Sequence, residues 1–566
     1  MDRSGLDQRR RVDCLVAQAG QFARPVSPQS TLSRSNILLH IGVMRDGRVK
    51  TAAICSVGLS LLQGCVSQVD RGVVRAIERR AAEASFPGTN VTADALRSTP
   101  TGAVSDEVLT LDLSETLRLA TRYSRNLQSR REELYLNGVG LLGEERKFDV
   151  QLSGTVNYVL GVSGEVDDTG KLELKASRRL PSGATLALTG ESSRSEEGGG
   201  TNDTESSIYR SSIGLRVTQP LLAGAGYTAS HDSLIQARRD LVYALRAFAL
   251  QRQDFAIDIV RDYYNLLTSK TVLANTRLNV EQSTFLRKRS EALFDARMAT
   301  ALDMMRSQQQ ELSSLNQLET TEAEYDVALK RFLITLGLPV SIDLSVAGAY
   351  PRVSAIRLKE KACIEAALFF RMDLLTTRDR LEDGRRKLSV ARNALLPQLD
   401  GFAEAALADQ GSESFSDQDL EERVTAGVTL EIPFDKRDER DAVRRAEIAV
   451  AAAERRLSEV QDTVRVEIIE NFRRLNSLRI TVEIQRKNTE IAEKRARNAL
   501  LRFKNGELSN RDVVEAENEL LDARNANAYA LVDHEVQRLR LLRNIGLLDI
   551  GPDGTVVELG IKDLEE

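Results

Sequence analysis

The sequence predicts an α+β fold in which very long antiparallel helical hairpins are joined to strands with one apolar face, in an order that occurs twice. Three observations carry this. Neither Gly nor Pro occurs from Tyr227 to Leu336 or from Phe434 to Asn505, and within both stretches apolar residues recur at three- and four-residue steps, the spacing of a helix with one buried face. Between the helical blocks the apolar residues alternate with polar ones, the spacing of a strand. Finally, Phe294 to Gly337 aligns with Phe503 to Gly546 at a constant offset of 209, which reads as a tandem duplication.

The elements follow in chain order. A basic stretch (Arg45, Arg48, Lys50), about a dozen mostly apolar residues and Leu62-Gln63-Gly64-Cys65 read as a signal peptide over 44–64. Its apolar run is shorter than the roughly 20 residues a membrane-spanning helix needs. Residues 1–43 then precede the true signal as an upstream leader or an early start. The end of the signal resembles the bacterial lipobox, so Cys65 is the expected lipid anchor (palmitate among its acyl chains). Val66 after it, in place of Asp, favours the outer membrane by analogy with lipoproteins. Residues 65–110 carry scattered Pro, Gly, Ser and Thr and read as a tether with one short helix near 70–84.

The first repeat is expected over 111–348 and the second over 349–550, with a tail at 551–566. Helices are expected over 113–147, about 231–296, 300–336, 358–375 and about 438–503. Leu234, Leu241, Leu245, Phe248, Phe255 and Ile259 mark the apolar face of one long helix, and Val450, Leu457, Val464, Ile468, Phe472 and Leu475 that of the other. At about 1.5 Å per residue each long helix reaches roughly 100 Å, and two shorter helices end to end match one of them. Strands are expected where Phe148, Val150, Leu152, Val156, Tyr158 and Leu160 share one parity, at Ile213, Leu215 and Val217, and at Val424 to Ile432. Segments of about ten residues with one apolar face can cross a bilayer when tilted. KLELKASRRL and ATLALTGES, joined by Pro181-Ser182-Gly183, form a further hairpin that either enlarges the sheet or extends an outer loop; the loop is preferred here. The polar run SRSEEGGGTNDTESS is expected at an aqueous rim. Pro220 and Pro433 close strands ahead of long helices, since a residue without an N–H can end a ladder and pre-set the next helix.

Composition excludes several functions. The 566 residues are 42% hydrophobic and 28% charged, which supports a folded core, and a net charge of -5 offers no basic field for nucleic acid. Four cysteines without a CxxC pair, and three histidines (His40, His231, His534) far apart and expected at surfaces or caps, imply no metal and no disulfide framework. Cys363 is expected to be a small hydrophobe on a helix. GVGLLG (138–143) follows a helix and precedes a strand, the reverse of a dinucleotide site. No nucleophile elbow, P-loop or HExxH occurs in a fitting context, so neither an enzyme nor a cofactor is expected.

These residues resemble the TolC-like outer membrane efflux protein family over about 111–548. The likeness rests on the duplicated layout, on QPLLAGAG (219–226), on ALLPQLDG (394–401) ahead of a strand, and on FKNGELSNRDVVEAENELLDARN (503–525). It implies a homotrimer whose strands share one transmembrane β-barrel in outer membrane lipid and whose helices form an α-barrel through the periplasm. It further implies a passive conduit joined by a periplasmic adaptor to an inner-membrane pump. Independently, a few strands with open edges cannot stand alone in lipid and need other copies. By motif position the resemblance places Asp512, Glu515 and Asp303 at the periplasmic constriction, and Asn505, Gly506 and Leu508 at the tip turn that meets the adaptor. The alternative is a non-conducting periplasmic coiled-coil lipoprotein, which would have no use for amphipathic strands.

Overall fold

The computed structural model describes residues 109–159, 169–197, 206–353, 359–411, 421–505, 507–551 and 554–558. The leader, the signal with Cys65, the short helix expected near 70–84, Gly506 and most of the tail lie outside these residues. The described residues all fall in one unit.

Strand β1 (Leu109–Leu111) leads into α1 (Leu113–Tyr123), α2 (Arg125–Arg146) and the strands β2 (Gln151–Val159), β3 (Thr169–Arg179), β4 (Thr185–Glu197) and β5 (Ser206–Pro220). The short α3 (Tyr227–Ser230) precedes α4 (Asp232–Asp295), α5 (Ala301–Leu336) and β6 (Leu344–Val346). The second half repeats the order with α6 (Glu360–Phe370), α7 (Met372–Ala394), β7 (Gln398–Gly411), β8 (Glu421–Glu431), α8 (Arg437–Lys504) and α9 (Asn510–Ile545). It ends in a small hairpin of β9 (Leu548–Ile550) and β10 (Val556–Glu558). GVGLLG lies wholly within α2, with Gly138 and Leu141 buried.

The two long helices contain 64 and 68 residues, so each spans about 100 Å. Helix α4 packs against α5 and α9 along one part of its length and against α2 and α7 along another; α8 in turn packs against α9 and α7. Thus α2 and α5 take up one column beside α4, and α7 and α9 another between α4 and α8, giving four helical columns in the chain. Leu127, Leu134 and Leu141 of α2 meet Leu234, Leu241, Leu245 and Phe248 of α4 in one buried cluster. The largest cluster gathers α1, α6, the middles of α4 and α8 and the ends of α5 and α9, with Cys363 fully buried in it. Burial pushes the Cys363 thiol up to about 11.

Two helices expected to be continuous are broken. The helix of 113–147 divides at Ser124 (φ -62°, ψ 124°), and that of 358–375 at Arg371 (φ -67°, ψ 119°). The cause is tertiary. Each break lies against a left-handed glycine that caps a 36-residue helix: Gly337 (φ 81°) ends α5 and Gly546 (φ 86°) ends α9. A Cβ at Gly337 would fall 2.0 Å from the Tyr123 carbonyl oxygen, and one at Gly546 would fall 2.9 Å from Phe370 Cβ. Only glycine lets these turns approach so closely.

The six longer strands form one antiparallel sheet in the order β2-β3-β4-β5-β7-β8. The β3–β4 hairpin therefore lies inside the sheet, between β2 and β5, and not in an outer loop. The hydrogen-bonded ladder decides this: Leu152 pairs with Ala176, Ala176 with Leu188 and Leu188 with Leu215. The two ends of the polar run expected at a rim belong to strands as well, because β4 continues to Glu197 and β5 starts at Ser206; 198–205 lie outside the described residues. At the other end β2 starts at Gln151, three residues after Phe148, whose ring leaves the strand to stack on His231 at 4.1 Å.

Candidate functional site

Two regions of this fold carry functional geometry: the sheet, and the turns at the far end of the long helices. In the sheet, cross-strand rows separate two chemistries. One row runs Leu152, Ala176, Leu188, Leu215, Ala405, Val424 across all six strands. The neighbouring row of opposite parity runs Ser153, Lys175, Thr189, Gly214, Ala406, Arg423, and the next of that parity runs Thr155, Glu173, Glu191, Ser212, Ala408, Glu421. Since alternate residues point to opposite faces, one face is apolar and the other carries ion pairs. On the charged face Lys171 Nζ lies 2.9 Å from Glu191, and Arg216 lies 3.5 Å from Glu404. The apolar side chains are exposed, Leu152 at 81% and Val424 at 84%, so the face has no protein cover within this chain.

The corners bind the sheet to the helices. Pro220 ends β5, whereas Pro433 falls two residues beyond β8. Here the Gly224 N–H donates to Asn393 Oδ1 at 2.7 Å, the Leu221 N–H to the Leu399 carbonyl at 2.7 Å, and Lys436 Nζ to the Leu395 carbonyl at 2.8 Å. His231 caps α4 as a buried residue stacked between Phe148 and Tyr227. Burial lowers its pKa. His534, expected at a surface or cap, is instead buried in the middle of α9 with its pKa likewise lowered by burial.

At the tip, α4 and α8 each turn within a few residues into a 36-residue helix. The two turns share their bonding: the Met298 N–H donates to the Leu293 carbonyl at 2.8 Å, and the Glu507 N–H to the Arg502 carbonyl at 2.9 Å. Each following helix opens with a capping box. Thr300 Oγ1 donates to Asp303 Oδ2 at 2.6 Å, and Ser509 Oγ donates to Asp512 Oδ2 at 2.6 Å. The Ser509 bond holds the Asp512 carboxyl below its ordinary range. Asp303 and Asp512 thus have a structural duty as helix caps.

Glu515 is exposed one turn along from Asp512 and lies 3.5 Å from Arg495 of α8, which also pairs with Glu519. Asn505 ends α8 and is exposed, while Leu508 packs on the tip cluster of Leu286, Phe503 and Val513. Two further features were not evident in the sequence. Arg289 stacks over the Phe503 ring at 4.6 Å and donates to the Phe503 and Lys504 carbonyls, tying α4 to the end of α8. Asp303, Arg306, Gln310, Ser313 and Arg511 line a polar cavity of about 410 Å³ between α5 and α9. Both depend on residues more than 190 positions apart, which no local pattern brings together.

Residues 363–547 match the family model described as outer membrane efflux protein. This part of the chain is therefore similar to outer membrane efflux proteins. Solved outer membrane channels share its fold. The OprN outer-membrane channel superposes with a TM-score of 0.58 at 17% identity, over 80% of this chain and 96% of that one. The open state of MtrE from Neisseria gonorrhoeae gives 0.58 at 14% identity, over 80% and 94%. VceC from Vibrio cholerae gives 0.57 at 14%, over 77% and 96%. No curated protein sequence matches the chain. Among the described residues no helix is long and apolar enough to cross a membrane.

Proposed function

We propose that three copies of this chain form an outer membrane channel that passively conducts solutes or polypeptides out of the cell, its periplasmic end docked on an adaptor and an inner-membrane pump. The observation that carries this reading is the sheet with one uncovered apolar face and one charged face, continued by helices about 100 Å long. A periplasmic coiled-coil scaffold would need no such face, and lipid tolerates strands only when their edges are paired.

In this reading Cys65 is acylated and anchors each copy to outer membrane lipid. Asp512, Glu515 and Asp303 form rings around the axis at the tip that hold cations and resist anions. Asn505, Gly506 and Leu508 present the turn to the adaptor, and Pro220 and Pro433 turn each strand into its helix. The two halves, 111–348 and 349–550, are tandem repeats. Single-channel recording of the purified trimer in planar bilayers tests the proposal. Asp512→Asn keeps an acceptor for Ser509 while removing charge, so with Glu515→Gln it should raise open probability and weaken cation preference. A trimer that never conducts, with or without these substitutions, contradicts the proposal.

A further inference from the structure

We propose that the β3–β4 hairpin belongs to the barrel wall, so that three copies of this six-stranded sheet close an eighteen-stranded barrel by pairing the β2 edge of one copy with the β8 edge of the next. The inference rests on the three-chain channel reading.

An extramembrane hairpin would be polar on both faces. This one instead extends both chemistries of the sheet: Leu172, Leu174, Leu186 and Leu188 continue the apolar face, while Lys171, Glu173, Lys175 and Glu191 continue the charged one. Its strands have 11 and 13 residues, and about 9–11 tilted residues cross a bilayer. Its turn is fixed at the helical end of the sheet. Ser182 Oγ donates to Gln219 Oε1 at 2.8 Å, and a Cβ at Gly183 (φ 92°) would touch the Gly224 carbonyl oxygen at 3.2 Å and Pro220 Cγ at 3.3 Å. The hairpin is thereby locked to the corner from which α4 departs.

Geometry supports the same count. Four helical columns about 10 Å apart take up about 40 Å of circumference. Six strands spaced about 4.8 Å and tilted about 40° cover about 37 Å, whereas four would cover only about 25 Å. Six strands therefore continue the helical wall with little change of radius. Each sheet edge leaves backbone groups unpaired, at a cost of several kcal/mol per group in lipid. A second copy is the occupant that fits, because both edges carry the same two-faced pattern: Leu152 and Val156 against Ser153 and Thr155 on β2, Val424 and Val428 against Arg423 and Thr425 on β8. Barrel radius grows about linearly with strand number, so eighteen strands give about twice the cross-section of twelve. The outer exit is then no narrower than the tunnel beneath it.

Disulfide mapping of the full-length trimer in membranes tests this, with Cys14, Cys55 and Cys363 replaced by Ala and single-cysteine controls for assembly. Thr155 is opposite Glu173, and Glu191 is opposite Ser212, so Thr155→Cys with Glu173→Cys, and Glu191→Cys with Ser212→Cys, should each cross-link within one chain. Thr155→Cys with Ser212→Cys spans three strand spacings, about 14 Å, and should link at least about tenfold less. Efficient linking of that third pair means β2 lies directly against β5, and overturns the hairpin's place in the wall. Thr155→Cys scanned against Arg423→Cys, Thr425→Cys and Gly427→Cys should give linked trimers. If no β8 position links between chains while the first two pairs still form, the three-copy closure fails together with the channel reading.

Discussion

Asp383 of α7 is a carboxylate shielded between helices, and its removal gives the sharpest test of how the columns hold together. Its side chain is 6% exposed; it accepts a hydrogen bond from the Tyr243 hydroxyl at 2.6 Å and one from Arg386 at 2.7 Å, and lies 3.0 Å from Arg239. Arg386 in turn donates to Asp232 at 2.8 Å and to Gln236 at 2.6 Å, so a single network fastens α7 to the start of α4. Asp383→Ala strands a buried hydroxyl, at a cost of about 1–3 kcal/mol, and deletes a charged hydrogen bond worth about 1.5–3 kcal/mol. Arg386 keeps Asp232, so the sum stays near the lower end of the range of about 3–5 kcal/mol for a broken buried pair. At about 1.4 kcal/mol per tenfold, amide hydrogen exchange in α7 should accelerate by about a hundredfold or more. Asp383→Asn, which keeps an acceptor for Tyr243, should cost less. Glu382→Ala removes only an exposed pair with Arg385 at 2.9 Å and should leave exchange nearly unchanged. Unaltered exchange in Asp383→Ala, or equal effects of Asp383→Ala and Glu382→Ala, would refute the reasoning.

Three further outcomes follow from backbone and burial. Arg297 occupies the left-handed region (φ 58°) at the position where the second half has Gly506, so Arg297→Gly should stabilise the first tip turn by about 1 kcal/mol, seen as slower exchange over 293–299. Gly337→Ala combines a left-handed φ with a 2.0 Å clash and should lower the melting temperature in detergent more than Gly546→Ala, whose nearest contact is 2.9 Å. Burial pushes the Tyr264 hydroxyl up to about 12, against about 10 in an unfolded chain. The stabilisation this represents is complete below pH 10 and is lost as pH rises through 12, by up to about 3 kcal/mol. Unfolding measured from pH 9 to 12 should show this loss, and Tyr264→Phe should reduce it.

Legibility in the sequence followed the range of the interaction responsible. The long helices are written locally: absence of breakers and a steady apolar stripe fixed α4 and α8 to within a residue or so of Asp232–Asp295 and Arg437–Lys504. Alternation likewise located strand segments, and the constant offset paired Gly337 with Gly546. What escaped depends on distant partners. Nothing around Ser124 or Arg371 breaks a helix by composition; the glycine-capped turns packed there do. His534 looks polar in sequence but lies in a buried row of α9. The preference for an outer loop at 171–191 is overturned because alternation gives a strand its faces without its neighbours, and only the ladder supplies those. At the tip, Asp303 and Asp512 were legible as equivalent residues, but not as helix caps: each accepts a hydrogen bond from the Thr300 or Ser509 hydroxyl, so capping by itself accounts for a side-chain acceptor there.

Single fluorophore-labelled cysteines placed along β2, β4 and β8, reconstituted in vesicles containing brominated lipid, report most directly whether this sheet is a membrane wall. Quenching should alternate: strong at Leu152, Leu188 and Val424, weak at Ser153, Thr189 and Arg423, which an aqueous thiol reagent should reach instead. Equal aqueous labelling of both sets, with no quenching at any position, would mean that the strands never enter lipid and that no channel is built from them.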